Sequence, residues 1–390
     1  MLRIIHTADV HLGARHDDLG EQAAGQRERQ FAAFKAAVDL AIAEKVDLFL
    51  IAGDLFDSNV QPRRSVERVA AELKRLADAR IRSVIIPGTH DCYDRASIYR
   101  AYDLPAMAGA NPDEGMVTVL DPDHPSVHLP TIDTVVHGQV FGTKRAPHSP
   151  LREIAAAVTA EPAATWHIGM VHGSLAIAGK TDADEVVITT EEIAASGLDY
   201  LALGHWHSAK LGKAGSVAYA YAGAPEPIAL DQDRAGKVLL VALDERSGGR
   251  AVSVEERQVG RTRFDRLELD AATVASQPAL VESLVVRADP DLVLDVRLVG
   301  VRRDDLDLHV DEIEVALAPA FLKVRVRDGS VPALTEGPLP SSDTIAGAFI
   351  RDLETRIAGL EAAGSAVEAA EQRDALRLGR LLLAGHEVSL

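Results

Sequence analysis

Leu48-Phe49-Leu50-Ile51-Ala52-Gly53-Asp54-Leu55-Phe56-Asp57 is a short apolar run that passes at once into a glycine and two acids. Such a run reads as a strand, and the glycine lets the backbone turn tightly where the strand ends. Residues 2–5 before it and 84–87 after it repeat the pattern, each meeting a polar turn. Between these strands Phe31, Phe34, Val38, Ala41 and Ile42 recur at helical spacing, as do Val66, Val69, Leu73 and Leu76. Strand, helix, strand, helix, strand is the start of an α/β layered domain.

Further strands are expected at 135–141, 167–171, 200–203, 217–221 and 238–243. They come without long helices between them, so the sheet is expected to continue as a mixed or antiparallel layer. Near Arg261 a shorter α/β pattern begins, with strands at 264–269, 292–298 and 322–326 and a helix at 278–286. The expected organisation is a first domain at 1–260, a small α/β domain at 264–330, a linker at 331–342 rich in proline and glycine, and helices over 343–390. Ser342 or Asp343 is placed to cap a helix carrying Ile345, Phe349, Leu353, Ile357 and Leu360 on one face. A second helical stretch covers 366–383. This hairpin either packs on its own protein or docks a partner.

Composition narrows the class. Of 390 residues, 47% are hydrophobic and 26% charged, as in a folded globular chain rather than a disordered one. The start lacks the features of a signal peptide and no run of 18 apolar residues occurs, so a cytoplasmic protein without a membrane span is expected. A single cysteine, Cys92, excludes an internal disulfide and a thiolate zinc site, which leaves histidine and carboxylate as metal ligands. The formal net charge of -18 opposes general polyanion binding. Positive potential can be gathered locally, from bound ions and from Arg15, Arg63, Arg64, Arg95, Arg100, Lys144 and Arg145, each of which is read either as part of it or as a solvated surface charge.

Five motifs stand where strands should end, the place at which open α/β sheets hold ligands. They are Asp9-Val10-His11, Gly53-Asp54-Leu55-Phe56-Asp57, Gly88-Thr89-His90-Asp91, Val171-His172-Gly173 and Gly204-His205-Trp206-His207. One Asp-x-His alone is common surface or core decoration. Together the motifs supply several carboxylates and five histidines, and such costly polar groups do not gather at strand ends by accident. Hydrolysis of a phosphodiester needs a hydroxide at neutral pH and neutralisation of charge on the phosphoryl oxygens, which two ions roughly 3.5–4 Å apart supply. A carboxylate must bridge the pair, and Asp54 fits that place; imidazoles suit transition metals better than Mg²⁺.

The order and content of these motifs resemble the calcineurin-like metallophosphoesterase superfamily, and within it the SbcD-type DNA repair nuclease subunits. The resemblance covers about residues 1–230 and, more loosely, the small domain and the C-terminal helices. It implies a four-layer α/β/β/α sandwich with a small α/β capping domain, holding two divalent ions, Mn²⁺ foremost with Fe, Zn or Mg as alternatives. Asp9, His11, Asp54 and His207 are the implied ligands of the first metal, and Asp54, His172 and His205 of the second. His90 matches the family's catalytic histidine, which contacts the phosphate and assists the leaving oxygen. Asp57 and Asp91 are expected to orient ligand imidazoles from behind. The third motif of the superfamily has Asn where this chain has Thr89, and a hydroxyl is a weaker donor than an amide oxygen, so a weaker second site is expected.

The implied function is DNA cleavage in double-strand-break repair, as a 3′–5′ exonuclease with endonuclease activity. The implied partners are an SbcC-type coiled-coil ATPase docked on 343–390 and a second copy of the chain. Asp57 is followed by Ser58-Asn59 rather than by the Arg-Gly of the phosphatase cousins, and Tyr221-Ala222-Gly223-Ala224-Pro225-Glu226 resembles the stretch that follows the last metal motif in SbcD-type proteins. Gly173 and Gly179-Lys180-Thr181 miss a phosphate-binding loop, with five residues between the glycines where four belong. Cys92 lacks the arginine of a cysteine phosphatase, since position 98 is Ile98. Trp206 is read as packing under the metal loop or stacking on a base, His16 as a weak candidate for substrate contact, and His6, His124, His128, His137, His148 and His167 as structural. Two alternatives remain: a small-molecule or cyclic-nucleotide phosphodiesterase on the same site, and a non-catalytic scaffold with an impaired second metal site.

Overall fold

Residues 48–52 form a fully buried central strand, and the layers on both sides explain why the run contains no polar residue. The computed structural model describes all residues except 111–113, 147, 162, 178–185, 228, 230–231, 233, 247–248, 304–305, 333–339 and 384–390. The chain divides into two units, Met1–Arg263 and Phe264–Leu390.

The first unit begins with β1 (Leu2–Thr7), α1 (Ala23–Glu44), β2 (Leu48–Ala52), α2 (Arg63–Asp78), β3 (Arg82–Ile86), two short helices α3 (Ile98–Ala101) and α4 (Leu104–Met107), and β4 (Val117–Val119). It continues with β5 (Ser126–Leu129), β6 (Thr134–His137), α5 (Leu151–Ala160), β7 (Trp166–His172), β8 (Ser174–Leu175), β9 (Val187–Ile188), α6 (Thr190–Ala195) and β10 (Tyr200–Gly204). β11 (Lys210–Ala214), β12 (Val217–Tyr221), β13 (Lys237–Arg246) and β14 (Gly249–Gln258) complete it.

One sheet has the order β14-β13-β1-β2-β3-β4 and a second the order β11-β12-β10-β7-β6-β5. The mixed continuation expected after the third strand is a second sheet, as the four-layer sandwich implied by the resemblance requires. The chain leaves the first sheet after β4, builds the second from β5 to β12, and returns as β13, which pairs antiparallel with β1. Alternation along β2 sets the layering: Phe49 and Ile51 pack with Phe34, Val38 and Leu73 of the first two helices, while Leu48 and Leu50 meet Ile168, Met170 and Ala202 of the second sheet. The far face of the second sheet, with Val171, Leu201 and Leu203, is covered by Ile154 and Ile193. The result is the α/β/β/α sandwich.

Two buried histidines make this sandwich sensitive to acid. His6 lies between the sheets with Nδ1 2.8 Å from the Tyr200 hydroxyl, and burial holds its pKa down to about 3. His137 faces His167 across 3.1 Å, and burial, with His167 beside it, lowers its pKa to about 4. Unfolded histidines take up a proton near pH 6.5, so the unfolded chain binds protons that the folded chain refuses. The stability is complete above pH 6.5 and is lost toward these folded values at about 1.4 kcal/mol per pH unit for each group. In urea titrations with chelator from pH 7 to 4.5, His6→Leu is expected to flatten the fall in unfolding free energy by about that slope; the same slope in both proteins would refute it.

The second unit carries β15 (Arg263–Asp270), α7 (Gln277–Val285), β16 (Asp289–Val299), β17 (Val301–Arg302), α8 (Val310–Leu317), β18 (Phe321–Asp328), β19 (Val331–Pro332), α9 (Ile345–Ala362) and α10 (Ala366–Leu383). A β15-β16-β18 sheet supports a core of Leu280, Leu284, Leu294, Val296, Ile313 and Val324. Thr344, rather than Ser342 or Asp343, caps α9 by accepting from Gly347 N at 3.0 Å. Ile350 and Leu353 face inward, and Ile345 is 83% exposed. Gly379 of α10 allows the ring of Phe349 to lie against its backbone. Most of the expected linker, 333–339, and the stretch Gly179-Lys180-Thr181 lie outside the described residues. Among the described residues no helix is long and apolar enough to cross a membrane.

Candidate metal centre

All five motifs fall at the C-terminal ends of β1, β2, β3, β7 and β10, strands drawn from both sheets. The first two loops run side by side: Asp9 N donates to Gly53 O at 3.1 Å, His11 N to Asp54 O at 3.0 Å and Asp57 N to Leu12 O at 3.1 Å. Asp9, His11, Asp54 and His205 all adopt positive φ, at 52°, 50°, 51° and 100°. For residues with a Cβ this costs about 1–3 kcal/mol each and persists where the surroundings hold it, most often at functional sites. Two glycines allow the sheets' ends to approach. A Cβ on Gly53, whose φ is 89°, would lie 2.3 Å from Nδ1 of His172, and one on Gly204 would lie 2.0 Å from the Ala52 carbonyl oxygen.

Among the described residues, three groups of side chains offer ligand atoms all within 4.8 Å of one another: Asp9, His11 and His207; Asp9, Asp54 and His172; and His11, Asp57 and His90. Asp54 belongs to the second group and approaches the first, with Oδ2 3.1 Å from Nε2 of His172 and 3.8 Å from Nε2 of His11. Its other oxygen accepts from His90 N at 2.7 Å. His205 contributes a backbone N–H to both oxygens of Asp9, at 2.9 and 3.1 Å, and its ring stands 5.3 Å from that of His172. Thr89 donates its hydroxyl to Asp54 Oδ2 at 3.3 Å.

Outside this ring of ligand atoms the two remaining acids behave differently. Asp57 accepts from Nδ1 of His11 at 3.2 Å, and its carbonyl accepts from Nδ1 of His90 at 2.9 Å. Asp91 orients no imidazole, contrary to expectation. It accepts from Gly88 N at 2.7 Å, Phe56 N at 3.1 Å and the Tyr99 hydroxyl at 2.6 Å, and so ties the second loop to the third. The reason is geometric: Asp91 is fully buried beneath the loops, whereas Asp57 stands at the rim.

Electrostatics mark the cluster as built for cations. Burial, opposed by His172, pushes the Asp9 carboxyl up to about 6. Burial would raise Asp54 as well, but His172 and His11 hold it well below the carboxylate range. Burial disfavours charge on His172, yet Asp54 and then Asp9 raise it to about 10. Burial, helped by His11, lowers His207 to about 3. His172 Nε2 is buried without a well-formed hydrogen bond and lies 3.1 Å from Asp54 Oδ2, an arrangement that a divalent ion would satisfy. The donors are imidazole and carboxylate with the Thr89 hydroxyl beside them, so the residues present fit a pair of such ions.

The second set of sequence features takes up supporting roles. Trp206 stacks on Tyr221 with centroids 4.4 Å apart and donates to Ser174 Oγ at 3.1 Å, so it packs beneath the loop. The Tyr221 hydroxyl donates to Gly173 O at 2.8 Å and accepts from Leu175 N at 2.9 Å, holding the turn after His172. Glu226 is buried and accepts from Arg261 N and Thr262 N at 2.8 and 2.9 Å. His16 is bound to Gln30 at 2.9 Å and buried, which removes it as a substrate contact in this conformation. One neighbour carries no signature in the sequence: Gln232, whose side-chain amide lies 2.6 Å from Nδ1 of His207. No local pattern marks it in an Asp-Gln-Asp run.

Carboxylates and imidazoles converging from the ends of two sheets define a metal-dependent phosphoesterase. The chain belongs to the calcineurin-like phosphoesterase family, whose characteristic domain matches residues 2–209, and the family uses a dinuclear metal site. It is similar to the DNA double-strand break repair protein Mre11 of Aeropyrum pernix, at 28% identity over 279 residues covering 69% of this chain and 64% of that protein. It is also similar to the uncharacterized metallophosphoesterase YhaO of Bacillus subtilis, at 27% identity over 229 residues, 57% of this chain and 52% of that protein. The SbcD component of the Escherichia coli nuclease SbcCD is 25% identical over 339 residues, 76% of this chain and 78% of that protein. The chain thus spans about half to two thirds of the first two of these relatives.

Proposed function

We propose that the protein is a two-metal DNA nuclease that acts in double-strand-break repair. The observation that carries the reading is the reach of Asp54, a member of the group with Asp9 and His172 whose Oδ2 also lies 3.8 Å from Nε2 of His11 in the group of Asp9, His11 and His207. Two divalent ions held there, Mn²⁺ foremost, would supply an activated water and neutralise the phosphoryl oxygens. His90 stands half exposed at the rim. Because a carbonyl only accepts, Asp57 O keeps a proton on Nδ1 of His90 and leaves Nε2 to meet the substrate. A protonated Nε2 donates to the leaving 3′-side oxygen or to the crowded phosphate.

DNA as the substrate draws support from two of the relatives, one named a DNA double-strand break repair protein and the other a component of a nuclease. It also draws support from a cavity of about 530 Å³ beside the first two metal loops, lined by Leu12, Gly13 and Gln61 and by Arg15, Arg64 and Arg68. Arg27, Asp17 and Glu28 also line it and Glu28 pairs with Arg68, so its wall carries a small excess of positive charge on a chain of strongly negative net charge. By the same reading the helices within 343–390 dock an SbcC-type ATPase, the small α/β domain at 264–330 caps the nuclease domain, and the protein works as a dimer in the cytoplasm.

The test is release of nucleotides from linear double-stranded DNA with Mn²⁺, beside hydrolysis of bis(p-nitrophenyl) phosphate, with and without the partner ATPase. Cleavage of DNA is expected. Hydrolysis of the small diester with no cleavage of DNA under either condition would overturn the substrate, and inertness on both would overturn the enzyme.

Thr89 gives the two metals unequal affinity. Its hydroxyl proton is directed at Asp54, and a hydroxyl oxygen is in any case a poorer ligand than the amide oxygen found there in the family. Calorimetric titration with Mn²⁺ is expected to resolve one tighter and one weaker site, with Thr89→Asn tightening the weaker by about tenfold, the lower end of the range for a supporting group. Two equal tight sites in the wild type would contradict this.

A further inference from the structure

At the metal centre the Nδ1 partners of His11, His172, His90 and His207 are in view, and the first three donate from that atom to an oxygen. His11 donates to the Asp57 carboxylate at 3.2 Å, His172 to the Ala52 carbonyl at 3.0 Å and His90 to the Asp57 carbonyl at 2.9 Å. A neutral imidazole carries one N–H, so an oxygen at Nδ1 fixes the proton there and leaves Nε2 with its lone pair. His207 is the fourth. Its Nε2 faces Nε2 of His11 at 3.1 Å, and the atom placed at its Nδ1 is the amide nitrogen Nε2 of Gln232, 2.6 Å away.

Gln232 is held for this task from both sides. The residue is 9% exposed, its backbone N–H donates to Ala229 O at 3.3 Å and its backbone carbonyl accepts from Ala235 N at 3.1 Å. The segment that carries it is tied to the His207 loop, with Ala224 N donating to His207 O at 2.9 Å and Ala209 N to Arg234 O at 3.4 Å. An amide presents either oxygen or nitrogen by a half-turn of its last bond, and an Nδ1–H requires the oxygen.

We propose that Gln232 is a positioning residue of the metal centre: its Oε1 accepts from Nδ1 of His207 and so holds the imidazole in the tautomer and orientation in which Nε2 ligates. The inference rests on Asp9, His11 and His207 forming a metal group. A glutamine does this without adding a further negative charge to a neighbourhood that already holds Asp9, Asp54 and Asp57.

Mn²⁺ titration calorimetry on the full chain tests it. Gln232→Leu is expected to weaken the tighter site by about 10–100-fold, the usual effect of losing the group behind a metal-bound histidine, while Gln232→Glu, an oxygen acceptor of equal length, keeps the affinity within about threefold or improves it. A general packing role would instead lower the melting temperature in chelator for both variants and leave Mn²⁺ affinity unchanged. Wild-type affinity in Gln232→Leu overturns the proposal, and so does a tenfold loss in Gln232→Glu, which decides the matter if the leucine variant does not fold. His207→Ala separates the premise from the inference: if it binds Mn²⁺ as the wild type does, the metal group itself is wrong, whereas if it loses the tighter site and Gln232→Leu does not, only the role of Gln232 fails.

Discussion

Asp54→Asn is expected to lower phosphodiester hydrolysis by at least two to three orders of magnitude, about 3–4 kcal/mol of transition-state stabilisation, and to remove the tighter binding of both Mn²⁺ ions. The carboxylate touches both halves of the centre, through Nε2 of His172 at 3.1 Å and Nε2 of His11 at 3.8 Å. An amide of the same shape keeps the acceptance from His90 N but has no charge to share between two cations. The loss should therefore appear in metal affinity as well as in turnover, and raising Mn²⁺ should restore only part of the rate. A variant that still binds two Mn²⁺ ions and retains most of its activity would take the bridging role away from Asp54.

His90→Ala is expected to act differently. Turnover should fall by about 10²–10⁴-fold, the range for removal of a positioned acid or base, with Mn²⁺ affinity and KM little changed. The half-exposed ring leaves no large cavity, and the backbone N–H that braces Asp54 survives the substitution. The ring lies edge-on to His11 with centroids 4.6 Å apart, so a structural role would show as weaker metal binding. Equal losses in metal affinity and turnover would assign His90 to the support of the centre instead of the reaction.

Legibility in the sequence followed the range over which each feature is determined. The apolar runs of β1, β2, β7, β10 and β12 were visible because a buried strand between layers must be apolar along its length. The amphipathic strand β14 was missed: its residues alternate between half-buried and exposed, and only the pairing with β13 makes it a strand. Helix α9 was found, but its cap was displaced to Thr344 because three neighbouring polar residues satisfy the same local rule. Asp57 and Asp91, alike in sequence as acids beside a motif, took different partners because one stands at the rim and the other lies beneath the loops.

The chain's own order of residues determined which groups gather at the strand ends, since apolar run, glycine and ligand follow one another within a few positions. It determined with equal clarity that no thiolate site was available to hold a metal. The tertiary structure alone decided which strands pair in each sheet, that Asp54 reaches from its own ligand group toward His11 of the other, and which nitrogen of each histidine faces inward. Those outcomes depend on contacts such as His172 with Ala52, 120 residues apart, and His11 with His207, 196 residues apart. No local rule reaches that far: they arise when the buried faces of the two sheets close on one another and bring the strand ends into a common site.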